Sequence, residues 1–280
     1  MIKKKQGVFF MIYQKIPLSE TNHEVYLEAF VPDRVGDYIR DAILVIPGGG
    51  YEGICSYREG EPIALAFLAK GLCAFVLHYS VGKDAKFPQP LIEASLAVKY
   101  IKDHAEEYSL NPDRVFACGF SAGGHLCASL GTLWHLPQVF EGAGIPYGSN
   151  QIKGMIPIYP VISAVVPGAH MGSFYHLLGT LNPTEEELKR YSLEYCVDEH
   201  TVPAFLMHTA ADQAVSVANS LVFARALTDK GIRCELHIYP NGPHGVALAN
   251  EITDCGKPEW NNKNTAKWVD MAAEWMKDTK

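Results

Sequence analysis

The stretch Arg114-Val115-Phe116-Ala117-Cys118-Gly119-Phe120-Ser121-Ala122-Gly123-Gly124-His125-Leu126 decides how the rest of the chain is read. Residues 114–118 have the β-branched and apolar character of a short buried strand, and residues 121–134 read as a helix that begins abruptly. A serine at such a junction must turn the chain so sharply that its own backbone is strained, and its neighbours tolerate only small side chains. The turn holds Oγ clear of the sheet and aims the first N–H groups of the helix at the place where a tetrahedral oxyanion would form. A bare Gly-x-Ser-x-Gly pattern is common by chance, and its bland alternative is a glycine-rich turn that only packs closely. The strand before, the helix after and the additional Gly124 favour the nucleophile.

Outward from this junction, short β-rich runs alternate with longer helical patterns from about residue 40, the signature of βαβ units and a mainly parallel sheet. Residues 8–12 and 25–31 read as antiparallel opening strands and 42–46 as the first buried strand. Residues 60–70, closed by Gly71, read as a helix and 72–79 as a strand. Residues 90–108 suit a helix that covers one sheet face through Leu91, Ile92, Ala94, Leu96, Val98 and Ile101. After a strand at 152–159 the pattern degrades, and residues 160–201 carry one clear helix start at Asn182-Pro183-Thr184-Glu185. An irregular insertion there is a candidate lid or cap. Alternation resumes with a strand at 204–209, a helix at 215–230, a strand at 234–239 and a last helix at 261–277. The expected architecture is one α/β domain over residues 1–280: a mostly parallel central sheet, helices on both faces and a small lid insertion at about 160–201.

A serine hydroxyl needs a base, and after an elbow of this kind the partners follow in the order Ser, Asp or Glu, His. The strand at 204–209 runs into Ala210-Ala211-Asp212, which puts Asp212 on the loop before the next helix; the bland reading is a helix N-cap. The strand at 234–239 is followed by Pro240-Asn241-Gly242-Pro243-His244-Gly245, a tight loop around one imidazole on the same sheet edge, against the alternative of a solvated loop histidine. Among the other histidines, His208 and His237 fall inside strands and His125 lies four residues past Ser121, where it reads as structural. His170, His176 and His200 fall in the insertion and are candidates for substrate contact. For the oxyanion, the backbone N–H of Ala122 is one donor, and Pro47-Gly48-Gly49-Gly50-Tyr51 offers glycines directly after a strand. A phosphate loop is disfavoured there, since no Lys-Ser/Thr follows and the G-x-G-x-x-G spacing is missing.

Composition narrows the partners. The 280 residues carry a net charge of −7 with 48% hydrophobic residues, which suits a large core and argues against a nucleic-acid partner, for which a clustered basic surface is the rule. No apolar run approaches the roughly 20 residues needed to span a bilayer, so no membrane partner is expected. Seven scattered cysteines without CxxC pairs point to reduced thiols and a cytoplasmic setting. Lys3–Lys5 followed by Val8-Phe9-Phe10 has some character of a signal peptide, but a first strand is the preferred reading because the apolar run is short and lacks a cleavage site. A neutral or weakly charged small molecule is the expected substrate, and a homo-oligomer is left open.

Taken together, Pro47 to Tyr51, Gly119 to Gly124, Asp212 and Pro243-His244-Gly245 resemble the α/β-hydrolase esterases of the carbohydrate acetyl esterase type, also described as acetyl-xylan esterase-like or BD-FAE-like. The resemblance runs from about residue 25 to the end. It implies a serine esterase with Ser121, Asp212 and His244 as catalytic residues, Gly49, Gly50 and Ala122 as the oxyanion hole, and Tyr51 at the substrate. It further implies a small acyl ester as substrate, an acetyl group on a sugar or short xylo-oligosaccharide, with no metal or organic cofactor. One departure stands out: the lipase and esterase branch often has His-Gly-Gly-Gly, and here Pro47 replaces that histidine, which leaves the bracing of the loop open. Competing readings are a peptidase or lipase-like hydrolase of the same fold, and a non-catalytic ligand-binding relative. Peptidases of this fold often carry a large additional N-terminal domain that does not fit before residue 40, and non-catalytic relatives usually lose a member of the triad.

Overall fold

The computed structural model describes residues 11–280. Eight strands form one sheet: β1 (Ile12–Pro17), β2 (Tyr26–Val31), β3 (Arg40–Ile46), β4 (Cys73–His78), β5 (Leu110–Phe120), β6 (Gly154–Ile158), β7 (Ala204–Thr209) and β8 (Cys234–Tyr239). Their spatial order is β1-β2-β4-β3-β5-β6-β7-β8. β2 pairs antiparallel with both β1 and β4, and every later pairing is parallel. The first strand expected at residues 8–12 starts at Ile12; residues 8–10, and the basic segment that raised the question of a signal peptide, lie outside the described residues.

Period-two alternation explains why the sheet is covered on both faces. Ala42, Leu44 and Ile46 of β3 and Val115 and Ala117 of β5 join one core cluster, whereas Ile43, Val45, Phe116, Cys118 and Phe120 join the other. The helices between the strands are α1 (Ser56–Glu59), α2 (Glu61–Leu68), α3 (Gln89–Asp103), α4 (Ala105–Tyr108), α5 (Ser121–Leu133), α6 (Pro137–Phe140), α7 (Met171–Leu178), α8 (Glu185–Arg190), α9 (Ala218–Asp229) and α10 (Trp268–Asp278). α3, α5 and α9 bury Leu91, Val98, Leu126, Leu130, Phe223 and Leu227 on the first face. α2 and α10 bury Ile63, Phe67, Trp268 and Trp275 on the second.

Several boundaries move for local reasons. The helix expected at 215–230 starts at Ala218, because residues 213–217 are held as a turn by the Asp212 carboxylate. The helix expected at 90–108 is interrupted at His104, whose ring stacks on Tyr100 while its Nδ1 bonds the Tyr100 carbonyl. The segment 160–201 is less irregular than its composition suggests. It holds α7 and α8, the latter opened by a capping box in which Thr184 and Glu187 satisfy each other's backbone N–H groups. Among the described residues no helix is long and apolar enough to cross a membrane, and all seven cysteines are unpaired.

His125 shows how tightly the first face is closed. It is buried, with Nδ1 at 3.0 Å from the Tyr51 hydroxyl and Nε2 at 3.0 Å from the Tyr191 carbonyl oxygen. Burial pushes its pKa down to about 4, against the pull of the Tyr191 carbonyl. An unfolded chain protonates histidine near pH 6.5, so between about pH 6.5 and 4 it binds a proton that the folded chain refuses. Stability from this site is complete above pH 6.5 and declines through that window as the pH falls, by up to about 1.4 kcal/mol per pH unit. Urea unfolding at a series of pH values checks this: His125→Asn is expected to be less stable than wild type at pH 7.5 but to show a shallower slope between pH 6.5 and 4.

Candidate active site

Ser121 sits where β5 becomes α5, with φ of +52°, in the left-handed region that a non-glycine residue enters only when its surroundings enforce it. The neighbours enforce it by backbone contact. A Cβ on Gly119 would overlap the Gly123 carbonyl, and one on Gly123 would overlap the carbonyls of Ile46 and Pro47. One on Gly124 would press on Pro160. The ends of β3, β5 and β6 therefore meet around the serine with no room for side chains between them.

His244 lies beyond β8 in a loop anchored by the Thr209 hydroxyl, which donates to the Gly242 carbonyl at 2.7 Å. Its Nε2 is 2.8 Å from Ser121 Oγ and its Nδ1 is 2.7 Å from Asp212 Oδ2. An ionised carboxylate can only accept, so Nδ1 carries the ring proton and Nε2 is free to take the Ser121 hydroxyl proton. Asp212 serves two purposes with separate oxygens. Oδ1 accepts from the Ala214 and Val215 amides, both at 2.9 Å, as a capping residue would, while Oδ2 faces His244. Burial pushes the Asp212 carboxyl upwards, but donors from His208, His244 and the Val215 amide outweigh it and hold the group well below the usual carboxylate range.

His208, which reads from the sequence as a residue inside a strand, stands behind Asp212. It is fully buried, its Nδ1 is 2.8 Å from Ser220 Oγ and its Nε2 is 3.0 Å from the Val215 carbonyl oxygen and 3.4 Å from Asp212 Oδ2. The Val215 carbonyl only accepts, so the His208 proton is on Nε2 and points towards the back of Asp212.

The glycine loop after β3 curves past the serine, with a Cβ on Gly48 falling 2.9 Å from Ser121 Cβ. Gly49 and Gly50 have φ of +134° and +69°. Among the described residues neither of their N–H groups has an acceptor, and Ala122 is in the first turn of α5, where amides have no intrahelical partner. The bracing that Pro47 cannot supply comes from two other residues. The Tyr79 hydroxyl donates to the Pro47 carbonyl at 2.8 Å, and Glu59 Oε2 accepts from the Gly48 amide at 2.8 Å.

Tyr51 departs from its expected role. Its ring is 1% exposed, packed edge-on against Tyr79 and His125, and its hydroxyl is engaged by His125, so its side chain faces the core rather than a substrate. The turn at Tyr51, φ +59°, sends the ring inward. Of the three insertion histidines, only His170 is near the serine. Its Cε1 would be 3.8 Å from a Cβ on Gly50, its Nδ1 is 2.9 Å from Ser173 Oγ, and burial and the neighbouring His244 lower its pKa. His200 instead stacks on His135 at the far end of α5, and His176 lies in the last turn of α7. Among the described residues no three His, Cys, Asp or Glu side chains are grouped to hold a metal ion.

Comparison with known proteins gives the following. The BD-FAE family profile matches residues 27–227. Endo-1,4-beta-xylanase B of Butyrivibrio fibrisolvens is 40% identical over 223 residues, 77% of this chain and 34% of that protein. An acetylxylan esterase of Xylanibacter ruminicola is 30% identical over 211 residues, 74% of this chain and 41% of that protein. The chain thus spans about a third to two fifths of the length of these curated relatives. Among solved structures, the acetyl ester-xyloside bifunctional hydrolase of Caldicellulosiruptor lactoaceticus superposes with a TM-score of 0.79 at 32% identity, covering 95% of this chain and 96% of its own.

The backbone contacts at the serine make a direct prediction. Gly123→Ala puts a methyl group into the Ile46 and Pro47 carbonyls, and a loss of about 3 kcal/mol or more is expected in urea unfolding. Gly53→Ala, where nothing lies within 4 Å of the added carbon, is the control and should unfold within about 1 kcal/mol of wild type.

Proposed function

The chain belongs to the BD-FAE family and has the α/β-hydrolase fold, and on that premise we propose that it is a serine carboxylesterase that removes small acyl groups, acetyl foremost, from sugars or short xylo-oligosaccharides. The observation that carries the reading is the single imidazole bridging Ser121 Oγ at 2.8 Å and Asp212 Oδ2 at 2.7 Å. In this reading His244 Nε2 takes the hydroxyl proton as Oγ attacks the ester carbonyl, and the N–H groups of Gly49, Gly50 and Ala122 receive the oxyanion. His244 then returns the proton to the departing alcohol. A water activated by the same nitrogen attacks the acyl-enzyme, and the acid leaves. Asp212 keeps the proton on Nδ1 and offsets the charge of the imidazolium.

The sugar half of the proposal is supported by the chemistry of the relatives: one is an acetylxylan esterase, one is a xylanase and one is an acetyl ester-xyloside bifunctional hydrolase. It is also supported by His170, a polar side chain at the rim of the site that can exchange hydrogen bonds with hydroxyl groups.

Turnover of p-nitrophenyl acetate tests the mechanism. Ser121→Ala and His244→Ala are expected to lower kcat by at least about 10⁴-fold, Asp212→Asn by about 10³–10⁴-fold, and the double variants by no more than the worse single one, because the three groups act as a unit. Unchanged turnover in Ser121→Ala would sink the proposal. For the substrate, acetate release from acetylated xylo-oligosaccharides and a rank order of acetyl over butyryl over octanoyl esters are expected. A preference for octanoyl would instead indicate a lipase-like pocket.

A further inference from the structure

Arg58 and Glu59 close the short helix α1, directly after the glycine loop, and both are buried charged residues that the acyl-transfer steps leave without a task. They point in different directions. Glu59 Oε2 accepts the Gly48 amide, while Oε1 accepts the Tyr159 hydroxyl at 2.9 Å. The Tyr159 oxygen in turn accepts the amide of Ala247 at 3.1 Å, three residues past His244, and the Tyr159 ring meets the His244 ring edge-on with centroids 5.1 Å apart. Arg58 donates to the carbonyl of Gly245 and, at 3.1 Å, to that of Thr253, with Trp260 stacked 3.7 Å over its guanidinium.

The segment these bonds hold is strained. Ala247 and Ala249 have φ of +49° and +53°, and Tyr159 has φ of +37°, conformations that cost roughly 1–3 kcal/mol each and persist only where the surroundings over-determine them. Burial pushes the Glu59 carboxyl up, opposed by the Gly48 and Tyr159 hydrogen bonds. An anion kept close to a site that must bind an oxyanion is counterproductive unless its placement does something else.

We propose that Arg58 and Glu59 are positioning residues that tie the oxyanion loop to the histidine loop, through the Gly48–Glu59–Tyr159–Ala247 chain of hydrogen bonds and the Arg58 bonds to Gly245 and Thr253. The inference rests on the esterase reading for its kinetic consequence, not for its mechanical one. Because the Gly49 and Gly50 donors and His244 hang from one connected set of bonds, the oxyanion site and the base keep their separation while the surrounding loops fluctuate. A misplacement of about 1 Å at either can cost on the order of 10²-fold in rate.

Glu59→Gln preserves shape but offers an amide where two donors converge, and Tyr159→Phe preserves the ring but removes the shared oxygen. Each is expected to lower kcat for p-nitrophenyl acetate by roughly 10- to 10²-fold with KM within about threefold, and to weaken a trifluoromethyl ketone transition-state analogue by the same factor. The double variant should be no worse than the poorer single one. A purely structural role would instead lower the unfolding midpoint while leaving kcat and the analogue's affinity unchanged in the folded fraction. Hydrogen exchange supplies a readout that needs no turnover: Glu59→Gln should accelerate exchange at residues 245–249 as well as at the Gly48 amide, whose acceptor it alters. Wild-type exchange at 245–249 in that variant overturns the link, as does wild-type kcat with wild-type analogue affinity. If the wild-type protein has no Ser121-dependent esterase activity, the function proposal fails while the exchange result still decides the link.

Discussion

The site depends on a contact between backbones. Gly123 lies against the carbonyls of Ile46 and Pro47 so closely that not even a methyl group fits between them, and Gly119 and Gly124 are closed in the same way against Gly123 and Pro160. That contact joins the C-terminal ends of β3, β5 and β6 into one small patch of main chain. It forces Ser121 into a left-handed conformation, and it puts the glycine loop of β3 beside the first amides of α5. The side-chain chemistry follows from this arrangement, because polar backbone groups at a strand end and a helix start are unsatisfied and face the same point.

Around that patch, charge is held in place by donors rather than by solvent. Asp212 is buried, yet its four hydrogen-bonding contacts keep it ionised, with the two amides of its own turn on one oxygen and two imidazoles on the other. The ring protons of His208 and His244 are fixed by groups that can only accept, so donation along the row converges on Asp212 from both ends, Ser220 through His208 on one side and Ser121 through His244 on the other. A buried polar row of this kind is stable only when every member is satisfied, and this one is. Glu59 follows the same rule on the other side of the serine, with each carboxylate oxygen matched to one donor.

Much of the architecture was legible in one dimension. The alternation of residues 42–46 and 114–118 separates two faces, and the structure puts those two sets of side chains into two different cores. The strands at 204–209 and 234–239 match the sequence reading without a shift: the first is an apolar run buried throughout, and the second alternates Cys234, Leu236 and Ile238 with Glu235, His237 and Tyr239 before the turn residues Pro240-Asn241-Gly242. Boundaries shift where side chains contact their neighbours only two to four residues away, contacts that the apolar pattern does not encode. The carboxylate of Asp212 delays α9 and the stacked rings of Tyr100 and His104 break the long helix of residues 90–108, whereas the helix start read at Asn182-Pro183-Thr184-Glu185 is the capping box that opens α8.

At the site, glycine spacing shows which serine can stand at a strand-to-helix turn, and chain order shows which aspartate and which histidine end on the same sheet edge. Those are consequences of local sterics and of the parallel topology, and both are written in glycine spacing and strand spacing. What a side chain faces depends instead on how the folded elements pack. Tyr51 follows Gly49 and Gly50 directly and still turns inward to His125, while His170, more than a hundred residues further on, comes close to Gly50. The bracing lost with Pro47 reappears from Glu59 and Tyr79. Such pairings join residues far apart in the chain through single hydrogen bonds, and a hydrogen bond leaves no periodic trace in sequence, because its partner is fixed by where the sheet brings the chain back.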